Sequence, residues 1–395
     1  MGLEKPAEVT SNDPTSVSRP SRPDEDEQRV STIELFFDLV FVFTLTQLTA
    51  LLEHDLTLGT ASQVVLIFVV LFWMYGGYAW LTNQVPPHGA ARRLLLFGGM
   101  GAFLICALSV PEAFGDTGVT FGVGYLLVVV VHAGLYAETH GTAVLRFVPL
   151  NVVGALSVIV AGFVEGPVAY ALWLVPIVFQ YVTSIYVMRS VDDVRRAGFD
   201  IHPAHFVERH GLLLIVAFGE SVVAIGIGIG DAALDLGTLG AALLGLALAS
   251  AMWWAYFDED ANRAEAALLA ASVNHRVRMS VNAYFYAYIP MLLGVVMVAA
   301  GVALAIEDVG GAVEFGPALL LGAGVALYLA GNVAFRAALG IRQVAYRISV
   351  AAVALVSPAL GVFVAVLAQL ISLVVLLAAM LALEARRRSR LASAG

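Results

Sequence analysis

The chain has 395 residues, of which 60% are hydrophobic and only 13% charged, and its mean hydropathy is +0.88. A water-soluble domain averages about half apolar and about a quarter charged, so this composition excludes a cytosolic enzyme, a disordered protein and a nucleic-acid binder. The expected first partner is the lipid bilayer. Cys106 is the single cysteine, so no internal disulfide can form. The net charge of -9 becomes informative only once the charges are placed along the chain.

Residues 1–30 carry Pro6, Pro14, Pro20 and Pro23 and the acidic run Asp24 to Glu27, with almost nothing apolar to bury. They read as a disordered cytoplasmic tail. The first apolar run starts at Ile33, too late and too long for a signal peptide, so no cleavage is expected. Twelve apolar runs approach the roughly 20 residues that cross a hydrocarbon core: 32–52, 62–82, 92–110, 119–138, 145–164, 167–188, 210–230, 236–257, 278–304, 315–334, 342–361 and 363–384. The expected fold class is all-α, a polytopic membrane helix bundle. Very short turns at Glu165-Gly166-Pro167 and at Pro358 with Gly361 separate the fifth from the sixth run and the eleventh from the twelfth.

Lysine and arginine accumulate on the cytoplasmic side of membranes. With the amino terminus inside, all 21 fall in tails, inner loops or the adjoining helix ends, from Lys5 to Arg29, then at Arg92 and Arg93, Arg146, Arg189 to Arg209, Arg263 to Arg278, Arg336 to Arg347 and Arg386 to Arg390. The outer loops hold only acids, among them Glu53, Asp55, Glu112, Asp116, Asp231, Asp235, Glu307 and Asp308. Both termini are therefore expected in the cytoplasm, and the chain in the plasma membrane of a prokaryote.

Two stretches about 180 residues apart read alike. Phe36-Phe37-Asp38-Leu39-Val40 matches Ala217-Phe218-Gly219-Glu220-Ser221-Val222, Phe72-Trp73-Met74-Tyr75 matches Met252-Trp253-Trp254-Ala255-Tyr256, and Arg146-Phe147-Val148 matches Arg342-Gln343-Val344. Their common order points to a duplicated six-helix unit, with parallel halves at 31–190 and 210–385, a linker at 191–209 and a basic tail at 386–395. Carriers and channels tend to place their path between such halves.

An acid at the centre of a spanning helix costs about 2.5–3.5 kcal/mol on translocon scales, so it faces protein or water and often marks function. Asp38 lies roughly 10 Å into the first run, and Glu220 lies deeper in the seventh. Glu34 and Thr49 share a face with Asp38, and the same eleven-residue spacing lines up Arg209, Glu220 and Asp231. Two readings stay open. Asp38 and Glu220 face each other between the halves and take up a proton or cation, or they are satisfied by Arg209, Arg347 or hydroxyls and lock the bundle.

His132 and Glu138 lie on different faces of the fourth run, where His132 reads as an interhelical hydrogen-bonding group rather than a metal ligand. Trp73, Tyr75, Tyr78 and Trp80 read as packing and interface belt. Gly226, Gly228 and Gly230 read as close helix packing rather than a phosphate loop, and Arg386 to Arg390 as an anchor to anionic lipid. No zinc, nucleotide or hydrolase motif is found, so no catalytic residue, metal or cofactor is assigned.

The runs Glu34 to Phe43, Pro111-Glu112-Ala113-Phe114-Gly115 and Glu208-Arg209-His210-Gly211, the last leading to Gly219-Glu220-Ser221, resemble the bacterial low temperature requirement A (LtrA) family. The resemblance covers nearly all of the chain past residue 30. It implies a multi-pass membrane protein named for a growth defect in the cold, with unsettled biochemistry, and marks Glu34, Asp38, Arg209, Glu220 and Ser221. Many relatives carry an arginine near the place of His132.

The leading expectation is a secondary transporter or ion-conducting protein for an unknown ion or small solute, with its path between the halves. The alternatives are a non-transporting scaffold or sensor, or a lipid-acting enzyme using the inner loops with His202, His205, His210, Asp192, Asp193, Asp258 and Asp260. Small-residue helix faces make a homodimer plausible.

Overall fold

Backbone polar groups in hydrocarbon have no water to bond, so a spanning segment closes its own hydrogen bonds as helix. The computed structural model describes residues 29–87, 89–140, 147–189, 201–230, 234–307, 309 and 311–393, and its regular elements there are all helical. The first half contains α1 (Thr32–His54), α2 (Leu58–Gln84), α3 (Ala90–Ser109), α4 (Gly118–His140), α5 (Val148–Ala161) and α6 (Pro167–Arg189). The second contains α7 (Pro203–Ile229), α8 (Leu236–Phe257), α9 (Asp260–Ala270), α10 (Val273–Ser280), α11 (Tyr288–Glu307), α12 (Phe315–Ala338), α13 (Ala345–Ala354), α14 (Pro358–Phe363) and α15 (Val366–Ala392). A π-helical turn, Val281–Tyr286, joins α10 to α11.

Among the described residues, eleven helical segments are long and apolar enough to cross a membrane, where twelve runs were expected. The difference is the run at 145–164, whose helix α5 has only 14 residues. At 1.5 Å per residue that is roughly 21 Å, short of a ~30 Å hydrocarbon core. Turns from Gly162 to Val164 end α5 early.

The run at 342–361 divides into α13 and α14, with Pro358 opening the latter because proline continues no hydrogen-bond ladder behind it. The predicted linker ends sooner than expected. Helix α7 starts at Pro203, so Glu208 and Arg209 are helical, and proline suits a first-turn position where no N–H is needed. Arg386 to Arg390 likewise prolong α15. Of the predicted amino-terminal tail, only Arg29 and Val30 are described.

Helix α1 packs against α2, α3, α7 and α11, and α11 packs in turn against α7 and α12. Large apolar side chains such as Phe36, Leu39, Leu94, Leu104 and Leu108 stay exposed, as lipid-facing positions do. Interhelical approach relies on missing side chains, since lipid supplies no hydrophobic drive between helices. A Cβ at Gly294 of α11 would stand 2.6 Å from the Gly324 carbonyl oxygen and the Tyr328 nitrogen of α12, so only glycine fits there.

Candidate functional site: a charged cluster on the seam between α1 and α7

Helix α1 begins with a reciprocal cap. Glu34 turns back so that its Oε2 accepts the Ser31 N–H at 3.0 Å and the Ser31 hydroxyl at 2.7 Å, which satisfies donors that a first turn leaves free. One turn on, Asp38 points to the same side. Arg209, in the second turn of α7, enters between them. Its Nη1 donates to Glu34 Oε1 at 2.9 Å and its Nη2 to Asp38 Oδ1 at 3.1 Å, while Nη1 also donates to the Thr82 hydroxyl.

His205 Nε2 stands 3.3 Å from Glu34 Oε2, and Tyr75 donates its hydroxyl to Asp38 Oδ1 at 2.9 Å. The guanidinium carbon lies 5.8 Å and 5.7 Å from the ring centres of Phe37 and Tyr75. Glu34, Asp38 and Arg209 are at most 1% exposed. The pairing is therefore desolvated and its donors crowd one side. Asp38 Oδ1 is met by Tyr75 and by Arg209 Nε and Nη2, yet buried Oδ2 has no hydrogen-bond partner.

Farther along the same seam, Thr46 donates its hydroxyl to Glu220 Oε2 at 2.8 Å. Thr46 is eight residues past Asp38, about 12 Å along the helix. The interval holds the buried apolar side chains Phe41, Val42 and Leu45 of α1 and Leu213 and Ala217 of α7, together with the buried Thr44 hydroxyl. Beyond Thr46 the side becomes polar again. Thr49 Oγ1, Glu53 Oε1 and Ser221 Oγ are buried without partners, and Glu53 is within electrostatic reach of Glu220 and Glu307. At the other end, a cavity of about 520 Å³ opens against Glu34, Thr82, Asn83, His202 and His205.

The expected residues are thus gathered differently from the sequence reading. Glu34, Asp38 and Arg209 meet, and Arg209 and Glu220 both face α1 as their spacing requires. Asp38 and Glu220 do not oppose each other: Asp38 faces an arginine, and Glu220 a threonine two turns away. Ser221 and Thr49 are buried beside this seam, and Asp231 lies outside the described residues. His132 lies on α4 against the rings of Tyr78 at 5.0 Å and Tyr136 at 4.8 Å, with its ring against the Gly77 backbone of α2. Glu138 is exposed near the end of α4.

Arg347 touches neither seam acid. It belongs to a second buried cluster, donating to Asp260 Oδ2 at 2.9 Å and to Glu384 at 3.0 Å and 2.9 Å, and also to the Asn332 side chain. Arg336 completes that cluster through Asp260 at 2.9 Å and Glu384 at 3.4 Å. Of the basic tail, Arg388 is engaged by Asp258 at 2.6 Å and Glu259 at 2.8 Å rather than pointing to lipid. Of the three glycines read as packing positions, Gly228 faces the Ala303 carbonyl, Gly226 faces open space, and Gly230 has φ +47° just past the end of α7.

Tyr75 and Thr82 were missed as site residues. A signal was present in their spacing of seven on α2, which places both on one face, but nothing in the sequence assigns that face to Arg209.

The family model described as "Bacterial low temperature requirement A protein (LtrA)" matches residues 29–383. An uncharacterized protein of Rhizobium meliloti (strain 1021), RA0937, is 30% identical over 285 residues, which is 70% of this chain and 69% of the relative. No solved structure matches the chain.

Proposed function

For this chain, which belongs to the bacterial low temperature requirement A (LtrA) family of multi-pass membrane proteins, we propose transport or conduction of a cation or a small solute along the seam between α1 and α7. The observation that carries the reading is the unpartnered Oδ2 of Asp38, buried at one end of a polar stripe that a mainly apolar interval divides from Glu220. A buried carboxylate oxygen without a donor is costly, and a passing proton, cation or water relieves that cost. The basic loops near the Asp38 end support a cytoplasmic position for it, since lysine and arginine accumulate on that side.

Access supports the same reading. The cavity against Glu34 gives an inner vestibule, while Glu53, Glu220 and Glu307 form an acidic approach at the opposite end. In this state the route is interrupted at Phe41, Val42 and Leu45, so passage requires α1 and α7 to separate there. The two halves also repeat their neighbours. Helix α1 packs on α3 and α3 on α4, as α7 packs on α11 and α11 on α12, which supports a duplicated unit. Residence in the plasma membrane and a contribution to growth in the cold belong to this proposal.

The test is flux in proteoliposomes loaded with potassium or a pH indicator. Asp38→Asn and Glu220→Gln are expected each to lower flux at least tenfold, with Trp253→Phe on the exposed face of α8 as the unaffected control. Wild-type protein that passes no proton, alkali cation or small solute leaves the competing reading, a static scaffold. That reading is favoured by the near-complete pairing of Glu34 with Arg209, Ser31 and His205.

A further inference from the structure

The cavity of about 520 Å³ at the start of α1 has two unlike walls. One is polar and holds Ser31, Asn83, His202 and His205. The other is formed by Phe36 of α1 and Phe97 of α3, which are 51% and 48% exposed in the lipid-facing belt. Arg29 and Arg93 stand at the cavity and are both exposed. Glu34, the acid in the lining, is already engaged by Arg209 at 2.9 Å, and Glu208, outside the lining, accepts the Val30 N–H at 3.4 Å, so the cations free to meet an occupant are the two arginines. Asn83 is turned inward, donating to the His202 carbonyl at 2.9 Å, and Arg93 makes a long 3.4 Å bond to the Pro87 carbonyl.

We propose that this cavity is a binding site for one anionic phospholipid, its phosphate headgroup held between Arg29 and Arg93 and its acyl chains laid along Phe36 and Phe97. A soluble anion uses the arginines and leaves two aromatic rings facing lipid, whereas a phospholipid uses both walls at once. Phe36 and Phe97 are each about one to two turns into their helices, the depth at which headgroup gives way to acyl chain. Arginine forks match phosphate oxygens, and basic pockets among spanning helices on the cytoplasmic side hold anionic headgroups. The cavity is also the inner vestibule of the transport reading, but neither Asp38 nor Glu220 lines it, and lipid retention is measured without flux, so each proposal can fail alone.

The test uses the full chain purified in detergent and incubated with equimolar phosphatidylglycerol and phosphatidylcholine, with bound lipid read by native mass spectrometry. Preferential retention of phosphatidylglycerol is expected. Arg29→Gln with Arg93→Gln should reduce that preference by about fivefold per arginine, on the order of twenty-five-fold together, while Arg386→Gln with Arg387→Gln leaves it unchanged. Phe36→Ala with Phe97→Ala should weaken retention of both lipids. Thermal unfolding of each variant confirms that it remains folded, and Arg29→Lys with Arg93→Lys, which keeps the charge, should retain most of the preference. Equal retention of the two lipids, a preference that follows the Arg386 pair, or displacement of the lipid by millimolar inorganic phosphate overturns the proposal.

Discussion

Replacing Arg209 with glutamine is the most direct probe of the seam. Its guanidinium lies 2.9 Å from Glu34 and 3.1 Å from Asp38, and all three side chains are at most 1% exposed. Removing one partner of such a buried pairing costs about 3–5 kcal/mol, because the remaining charge is left uncompensated. Two carboxylates lose their counter-charge together, so Arg209→Gln is expected near the upper end, about 5 kcal/mol. The loss is unequal. Glu34 keeps Ser31 and His205, whereas Asp38 keeps only Tyr75. Asp38→Asn added to Arg209→Gln should therefore recover more stability than Glu34→Gln added to it. Equilibrium unfolding in detergent micelles, followed by tryptophan emission, measures all four proteins. The reasoning fails if Arg209→Gln falls within about 1 kcal/mol of wild type, or if the glutamate change rescues better than the aspartate change.

Arg347→Gln should destabilise by about 3–5 kcal/mol in the same assay, for it leaves Asp260 and Glu384 underpaired in a closed core, and Asp260→Asn should restore part of the loss. Gly294→Ala is expected to cost about 1–3 kcal/mol through overpacking against the α12 backbone, whereas Gly240→Ala, whose Cβ meets nothing within 4 Å, should leave stability unchanged or slightly raised. Unfolding curves for the two alanine variants decide the matter by their order. Outside the spans, Asp235 caps α8 by accepting the Thr238 N–H at 2.8 Å, which holds its carboxyl below the ordinary value of 3.8. Its contribution is present above the ordinary value and fades as pH falls through the depressed one. Asp235→Asn, which still caps, should flatten the acid limb of a stability profile below about pH 4.

Most of the spanning helices were legible because they follow from a property of single residues, hydropathy. The exception shows the boundary of that logic. The run at 145–164 is apolar throughout its middle, yet α5 closes at Ala161, since helix length is set by where a turn forms rather than by where apolar residues stop. Partnership was less legible. Arg209 is 171 residues from Asp38, and a one-dimensional pattern gives the side of a helix without naming its neighbour. Asp260 read as an inner-loop acid and proves fully buried against two arginines. What separates it from the partly buried Glu265 is the approach of α12, α13 and α15, which no local spacing records.

The two acids that the sequence pairs, Asp38 and Glu220, end in unequal surroundings, and the inequality has a simple geometric source. Asp38 comes six residues after the start of α1, whereas Glu220 comes seventeen after the start of α7, about 9 Å against about 26 Å of helix. The extra length before Glu220 carries Arg209, which turns across the seam and compensates the acid of the first half. The position eleven before Asp38 is Glu27, ahead of α1, and α1 itself carries no arginine to offer Glu220. One acid is consequently held by a full charge near the start of α7 and the other by a single hydroxyl farther along. A seam built this way is polarised from end to end. An entering cation competes with Arg209 at one end and with only Thr46 at the other, so any conduction along the seam should be asymmetric. Current–voltage curves from protein inserted in one orientation should rectify, and Arg209→Gln should reduce the rectification if the folded variant conducts. A linear curve from wild-type protein would separate the asymmetry seen at the two acids from the path itself.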